Sequence, residues 1–179
     1  MLTNEALNSV PSQASNWDPI RSCTPDDAQA LCRVVHDLQP LTVHTAYTYW
    51  VLCKYAGNTC FVAERHGSPV GLAIGLLSST APRTLLIWQI GVVGEFRGTG
   101  LSDALLDHMA AAGKSLHAKR LEVSIARDNR ASKRALLRLA GRLGVELEDI
   151  GMAKLPGASA SGEDSEVLYR IALFKSNDG

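Results

Sequence analysis

The residues best placed to do chemistry lie in one run, Val92-Val93-Gly94-Glu95-Phe96-Arg97-Gly98-Thr99-Gly100-Leu101. An apolar stretch, Leu85 to Val93, enters the Arg-Gly-x-Gly turn, and the turn opens an amphipathic pattern from Leu101 to about Leu116. A strand that ends in a glycine-rich turn at a helix N-terminus aims several backbone N–H groups at one point, where the helix dipole adds partial positive charge. Arg97, Gly98, Thr99, Gly100, Leu101 and Ser102 therefore form a candidate cradle for a pyrophosphate. No Lys-Ser/Thr pair follows the glycines, so the turn is not a P-loop. The bland alternative is an ordinary strand-to-helix turn whose glycines only supply a positive φ.

The elements that must hold this turn follow from patterning. Thr24 reads as an N-cap, with Pro25 at the first helical position and Asp26 and Asp27 in the first turn of a helix reaching about Asp37. A second helical stretch, His44 to Tyr55, concentrates Tyr47, Tyr49, Trp50, Leu52 and Tyr55. Cys60 to Glu64 and Pro69 to Leu77 form a hairpin about His66-Gly67-Ser68. The strand Leu85 to Val93, the glycine turn and its helix come next. They are followed by a strand at Arg120 to Ile125, a helix at Asn129 to Arg142, a strand at Val145 to Ile150, a Gly-, Ala- and Ser-rich loop at Met152 to Asp164, and a terminal strand at Glu166 to Phe174. The order is α-α-β-β-β-α-β-α-β-β. Residues 1–19 are polar and expected to be a poorly ordered lead-in, with one domain over 20–176.

Composition narrows the function classes. A chain of 179 residues, 46% hydrophobic and 20% charged, suits one globular domain burying roughly 70% of its unfolded surface. Eighteen basic residues balance eighteen acidic ones, so net charge supplies no field for nucleic acid or a membrane surface, and a small ligand is favoured. No apolar run approaches the roughly 18 residues of a membrane span, and the N-terminal stretch has no basic region ahead of an apolar core, so a cytoplasmic location is expected. Cys23, Cys32, Cys53 and Cys60 lie far apart without a C-x-x-C pair or clustered histidines, and read as free thiols rather than metal ligands.

The central strand, the Arg97-Gly98-Thr99-Gly100-Leu101 turn with its helix, a short strand and the helix start Asp128-Asn129-Arg130-Ala131-Ser132 resemble the acetyl-CoA core of GNAT-type N-acetyltransferases. More narrowly, the chain is similar to the L-2,4-diaminobutyrate acetyltransferases of ectoine biosynthesis. That similarity rests on Leu41 to Cys53 with its Tyr-x-Tyr, Asn58-Thr59-Cys60, Ile87-Trp88-Gln89-Ile90-Gly91-Val92 and Glu166-Val167-Leu168-Tyr169-Arg170. It covers roughly residues 20 to 172.

The resemblance implies an α/β (α+β) fold: a mixed, mostly antiparallel central sheet of six to seven strands flanked by helices, with a splayed parallel pair at its centre. It implies acetyl-CoA as co-substrate and a homodimer; no metal is expected, since the sequence offers no ligand cluster and aminolysis of a thioester does not need one. The pantetheine arm would pair with the open edge of the fourth strand at Ile90, Gly91, Val92 and Val93 as if it were a further strand. The N–H of Gly91 or Val92 would face the thioester oxygen. Asn129 and Ser132 would face the arm, although Asn129 also reads as a plain N-cap. Trp88 reads first as a packing residue.

The acceptor half departs from the family pattern. Where the family has Leu-Asp-x-Asn-Ser-x-Tyr-x-Tyr, this chain has Leu41-Thr42-Val43-His44-Thr45-Ala46-Tyr47-Thr48-Tyr49. The lost aspartate was a natural partner for the acceptor's ammonium, so its charge must come from elsewhere, Glu163, Asp164 or Glu166, or else the amine differs. An alkyl amine with a pKa near 10.4 is neutral to only about one part in a thousand near pH 7.4, and the neutral form alone attacks a thioester. Candidates to take the proton are His44, a carboxylate of the 163–166 segment, or a chain of waters. His44, Tyr47, Tyr49, Gln89 and Glu166 are thus the candidate catalytic residues. Many members of the wider superfamily have a tyrosine for the leaving thiolate where this chain has Leu136 or Leu137. Two classes remain open: an acetyltransferase for L-2,4-diaminobutyrate or another small amine, and a non-catalytic acyl-CoA-binding domain on the same scaffold.

Overall fold

A computed structural model describes residues 16–38, 41–153 and 166–175. The elements are β1 (Arg21–Ser22), α1 (Ala28–His36), α2 (Ala46–Tyr55), β2 (Cys60–Arg65), β3 (Ser68–Leu77), β4 (Thr84–Val92), α3 (Leu101–Ser115), β5 (Arg120–Ala126), α4 (Arg130–Leu143), β6 (Leu147–Ala153) and β7 (Glu166–Ala172). They form one seven-stranded sheet in the order β1-β2-β3-β4-β5-β7-β6. Every pairing is antiparallel except β4 with β5. The expected mixed sheet with a central parallel pair is what the chain forms. The two-residue β1 was not legible, because nothing so short shows an alternation.

Each face of the sheet carries a core. Leu101, Leu105, Leu106 and Met109 of α3 and Leu136 and Leu139 of α4 pack with Leu85, Ile87 and Val123. On the other face Leu31 and Val35 of α1 and Tyr49 and Cys53 of α2 pack with Val62, Leu72 and Ile74. The domain starts slightly earlier than residue 20. Trp17 and Ile20 pack against the first core, and the Asp18 N–H donates to the Glu64 carbonyl at 2.7 Å. The rest of the expected lead-in, residues 1–15, lies outside the described residues, as do 154–165 of the small-residue loop. Met152 and Ala153, expected in that loop, extend β6.

Local chemistry fixes the ends. His66 (φ 52°) and Gly67 (φ 75°) make the tight β2–β3 turn, the left-handed pair a two-residue hairpin requires. At the start of α1, Asp27 accepts the Thr24 N–H at 2.7 Å and the Arg21 guanidinium through both oxygens at 2.8 Å. Arg21 also reaches Glu64 at 2.8 Å. The neighbouring guanidinium holds the Asp27 carboxyl below its ordinary range. This cluster ties β1, β2 and α1 together.

Candidate active site

The central opening is a consequence of register. β4 pairs with β5 only from Thr84↔Arg120 to Ile87↔Val123, yet β4 continues to Val92. β5 instead turns toward β7, pairing out to Ala126↔Glu166. Beyond Ile87 the two parallel strands therefore diverge, leaving one edge of β4 without a partner strand among the described residues. The Val93 N–H donates to the Val70 carbonyl of β3 at 2.9 Å. Alternation along an antiparallel ladder then directs the main-chain groups of Gly91 to β3 and those of Ile90 and Val92 into the opening. Of the two expected oxyanion donors, Val92 faces the opening, while Gly91 is spent on the ladder with Leu72.

The glycine turn sits at the mouth of this opening. Gly98 (φ 77°) and Gly100 (φ 93°) are left-handed, and a Cβ on either would meet nothing within 4 Å. They are glycines for conformation, then, and not for space. The first-turn N–H groups of α3 have no partner inside their own helix, and Arg97 stands beside them with its Nε 3.4 Å from the Val92 carbonyl. Main-chain donors, a helix dipole, a cation and open space together suit a pyrophosphate. Across the opening Asn129 caps α4, its Oδ1 accepting the Ser132 N–H at 3.0 Å. The N-cap reading of Asn129 is the structural one, and it leaves the amide nitrogen and the half-buried Ser132 hydroxyl on the same helix end.

The acceptor side depends on a feature that alternation does not reveal. Ile74 aligns with Gln89 but Gly75 aligns with Ile87, so Trp88 is an extra residue, a β-bulge in β4. A bulge turns neighbouring side chains to one face. Trp88 packs into the α1–α2 core, and Gln89, 5% exposed, reaches the same side. Its Oε1 accepts the Tyr49 hydroxyl at 3.1 Å, and its Nε2 donates to the Thr42 carbonyl at 2.8 Å. The His44 ring lies 4.7 Å from Trp88, centroid to centroid, and Tyr49 lies 6.5 Å from Trp88. The Cys32 thiol donates to the His44 carbonyl at 3.2 Å. Gly91 is glycine because a Cβ there would come within 2.9 Å of both Leu38 and Leu41.

Four of the five candidate catalytic residues thus surround or approach one end of the opening, and one does not. Tyr49, Gln89 and His44 cluster about Trp88. Glu166 begins β7 beside the end of β5, at the edge toward which the strands diverge. Tyr47, however, is 71% exposed and stacks on Trp50 at 5.9 Å on the outer surface of α2. His44 lies ahead of α2 and not within it, since Thr45 is the N-cap and accepts the Thr48 N–H at 3.3 Å. Burial pushes the Tyr49 phenol above its ordinary range. Glu163 and Asp164 lie outside the described residues.

Cys23, Cys53 and Cys60 are buried in the core and Cys32 is half-buried. All four cysteines are free, burial pushes the Cys60 thiol up to about 12, and a hydrogen bond to Cys53 together with burial raises Cys23. Thiols held protonated are poor nucleophiles. Leu136 is buried and Leu137 is 50% exposed, with no hydroxyl at either place. Among the described residues no group of three or more His, Cys, Asp or Glu is arranged to hold a metal ion, and no helix is long and apolar enough to cross a membrane.

A mixed sheet opened between its two parallel strands, with a glycine turn at the mouth, is the arrangement expected of an acyl-CoA-dependent transferase. Residues 30–141 match the acetyltransferase (GNAT) family, and the chain belongs to that family. Within it, the chain is 35% identical over 147 residues to the L-2,4-diaminobutyric acid acetyltransferase of Streptomyces coelicolor, covering 81% of this chain and 86% of that protein. It is 33% identical to the enzyme of the same name from Halomonas elongata, over 88% of this chain and 82% of that one. The fold superposes on the diaminobutyrate acetyltransferase EctA of Paenibacillus lautus, solved with L-2,4-diaminobutyric acid and coenzyme A. The TM-score is 0.79 at 24% identity, covering 90% of this chain and 98% of that one.

Proposed function

We propose that the chain transfers the acetyl group of acetyl-CoA to the γ-amine of L-2,4-diaminobutyrate, a step of ectoine biosynthesis. The observation that carries the acetyl-transfer part is the divergence of β4 from β5 after Ile87, which begins at the Trp88–Gln89 bulge and leads on to the glycine turn. The choice of acceptor is supported by relatives of 31–35% identity over 81–83% of the chain that carry that enzyme's name.

In this reading Arg97, Gly98, Thr99, Gly100, Leu101 and Ser102 bind the pyrophosphate. The open main chain of Ile90 and Val92, with Gly91 and Val93 setting its course, aligns the pantetheine arm, and Asn129 and Ser132 face it from α4. The neutral γ-amine attacks the thioester carbon, a C–N bond forms, and the Val92 N–H stabilises the oxygen of the tetrahedral intermediate. The C–S bond then breaks, the nitrogen gives up its excess proton to become the amide, and the leaving thiolate of coenzyme A takes up a proton through water. Among the described residues His44 and Glu166 are the candidates to accept the ammonium proton, beside a chain of waters. Tyr47, on the outer surface of α2, lies outside the cluster.

The same reading makes 20–176, extended back to Trp17, one catalytic domain working in the cytoplasm as a homodimer without a metal. Free-thiol release from acetyl-CoA tests it, with L-2,4-diaminobutyrate run beside L-ornithine, L-lysine, 2,3-diaminopropionate and no amine. Selective release with diaminobutyrate and a γ-acetyl product by mass spectrometry is expected. Selective turnover of another amine would replace the acceptor. Tight acetyl-CoA binding with no turnover of any amine would favour a sensor domain.

A further inference from the structure

The segment Leu41 to Thr45 leads into α2 without regular structure, yet it carries the residues at which this chain departs from the family pattern it otherwise resembles. Such a segment cannot hold a defined shape through its own backbone pairing, so its shape must be imposed from outside. Three contacts do this. The Leu41 N–H donates to the Leu38 carbonyl at 3.0 Å, the Cys32 thiol reaches the His44 carbonyl, and Gln89 reaches the Thr42 carbonyl at 2.8 Å. The last comes from the strand that carries the opening.

We infer that Gln89 and Tyr49 are positioning residues, not acid–base groups: through the β4 bulge they lock the Thr42–His44 segment against the opening and so set acceptor binding. This rests on the reading above for the identity of the acceptor. Gln89 has both ends of its amide engaged, one with Tyr49 and one with Thr42, and it carries no titratable proton. Tyr49 is fully buried and its single proton is committed to the Gln89 oxygen. Gln89 has no proton to transfer, and the Tyr49 proton is spent inside the core. Trp88, the neighbouring bulge residue, holds the His44 ring. One irregularity of β4 therefore fixes both the main chain at Thr42 and the side chain at His44. Unbroken alternation from Ile87 through Trp88 would turn Gln89 to the α3 face.

Gln89→Met keeps length and loses both hydrogen bonds, while Tyr49→Phe removes the hydroxyl and leaves the Thr42 contact in place. For Gln89→Met the KM for diaminobutyrate is expected to rise about tenfold or more, with the KM for acetyl-CoA unchanged. Tyr49→Phe should shift it less, and both variants should keep every limb of the wild-type pH–rate profile. Hydrogen exchange read by mass spectrometry on the complete chain should show faster exchange over residues 41–45 in Gln89→Met, with α3 and its glycine turn unaffected. Unchanged exchange over 41–45 would overturn the inference, whatever the activity. So would loss of a pH limb in Tyr49→Phe with the diaminobutyrate KM unmoved. If the wild-type chain turned over no diaminobutyrate, the functional reading would fall while the exchange result still decided this one.

Discussion

The two halves of the site are built from different material. The cofactor half is mostly main chain: the open edge of β4, two left-handed glycines and the first turn of α3. The acceptor half is mostly side chain: Gln89, Tyr49, Trp88 and His44 meeting across elements up to 47 residues apart. Main-chain donors serve any pyrophosphate and demand little of the residues that carry them, beyond glycine where φ is positive. Side-chain contacts set which amine fits, and a change of residue there alters the site directly. The resemblance accordingly holds at the Arg-Gly-x-Gly-Leu turn and fails at Thr42 and His44, where the family pattern implies Asp and Asn.

That contrast can be broken where the halves touch. Gly91 lies in β4 between Ile90 and Val92, and on its other side it meets Leu38 and Leu41. Gly91→Val would push both leucines away, dragging the start of the acceptor segment and bending the open edge. An overpacking cost of about 1–3 kcal/mol is expected, seen as a lower Tm and a rise in the KM of both substrates. The halves separate at Gly100, whose φ of 93° penalises any side chain although the space is open. Gly100→Ala should cost about 1–2 kcal/mol in the turn and raise the KM for acetyl-CoA about tenfold, leaving that for diaminobutyrate in place. Smaller still is the effect of restoring a carboxylate on the acceptor side. The Thr42 side chain is exposed while its carbonyl is held by Gln89, so Thr42→Asp keeps the scaffold. It should lower the diaminobutyrate KM by about threefold to tenfold at low salt, and less at high salt, as an ammonium–carboxylate pair would.

The same division explains what the sequence discloses. The glycine turn, the α3 and α4 starts and the element order are local: each depends on residues within a few positions of one another, so caps, glycines and periodicity reveal them. Helix α2 was expected from His44 and starts at Ala46, because Thr45 rather than His44 meets the first-turn N–H. Tyr47 and Tyr49 looked equivalent as a Tyr-x-Tyr pair. Two residues along a helix are about 200° apart, however, so burying Tyr49 sends Tyr47 outward. The bulge at Trp88 was hidden, since Leu-Leu-Ile-Trp-Gln-Ile-Gly-Val is apolar almost throughout and a strand buried on both faces shows no alternation to interrupt. Gln89 was legible only as a polar residue in that run, and the Arg21–Asp27–Glu64 cluster not at all, because both depend on partners distant in sequence.

The most direct test of this division is a pair of steady-state measurements, KM for each substrate in Gly100→Ala and in Gln89→Met beside the wild-type chain. The expected result is crossed: Gly100→Ala moves the acetyl-CoA KM alone, and Gln89→Met moves the diaminobutyrate KM alone. If either folded variant moved both KM values equally, the two halves would not be separate constructions, and the account would be contradicted.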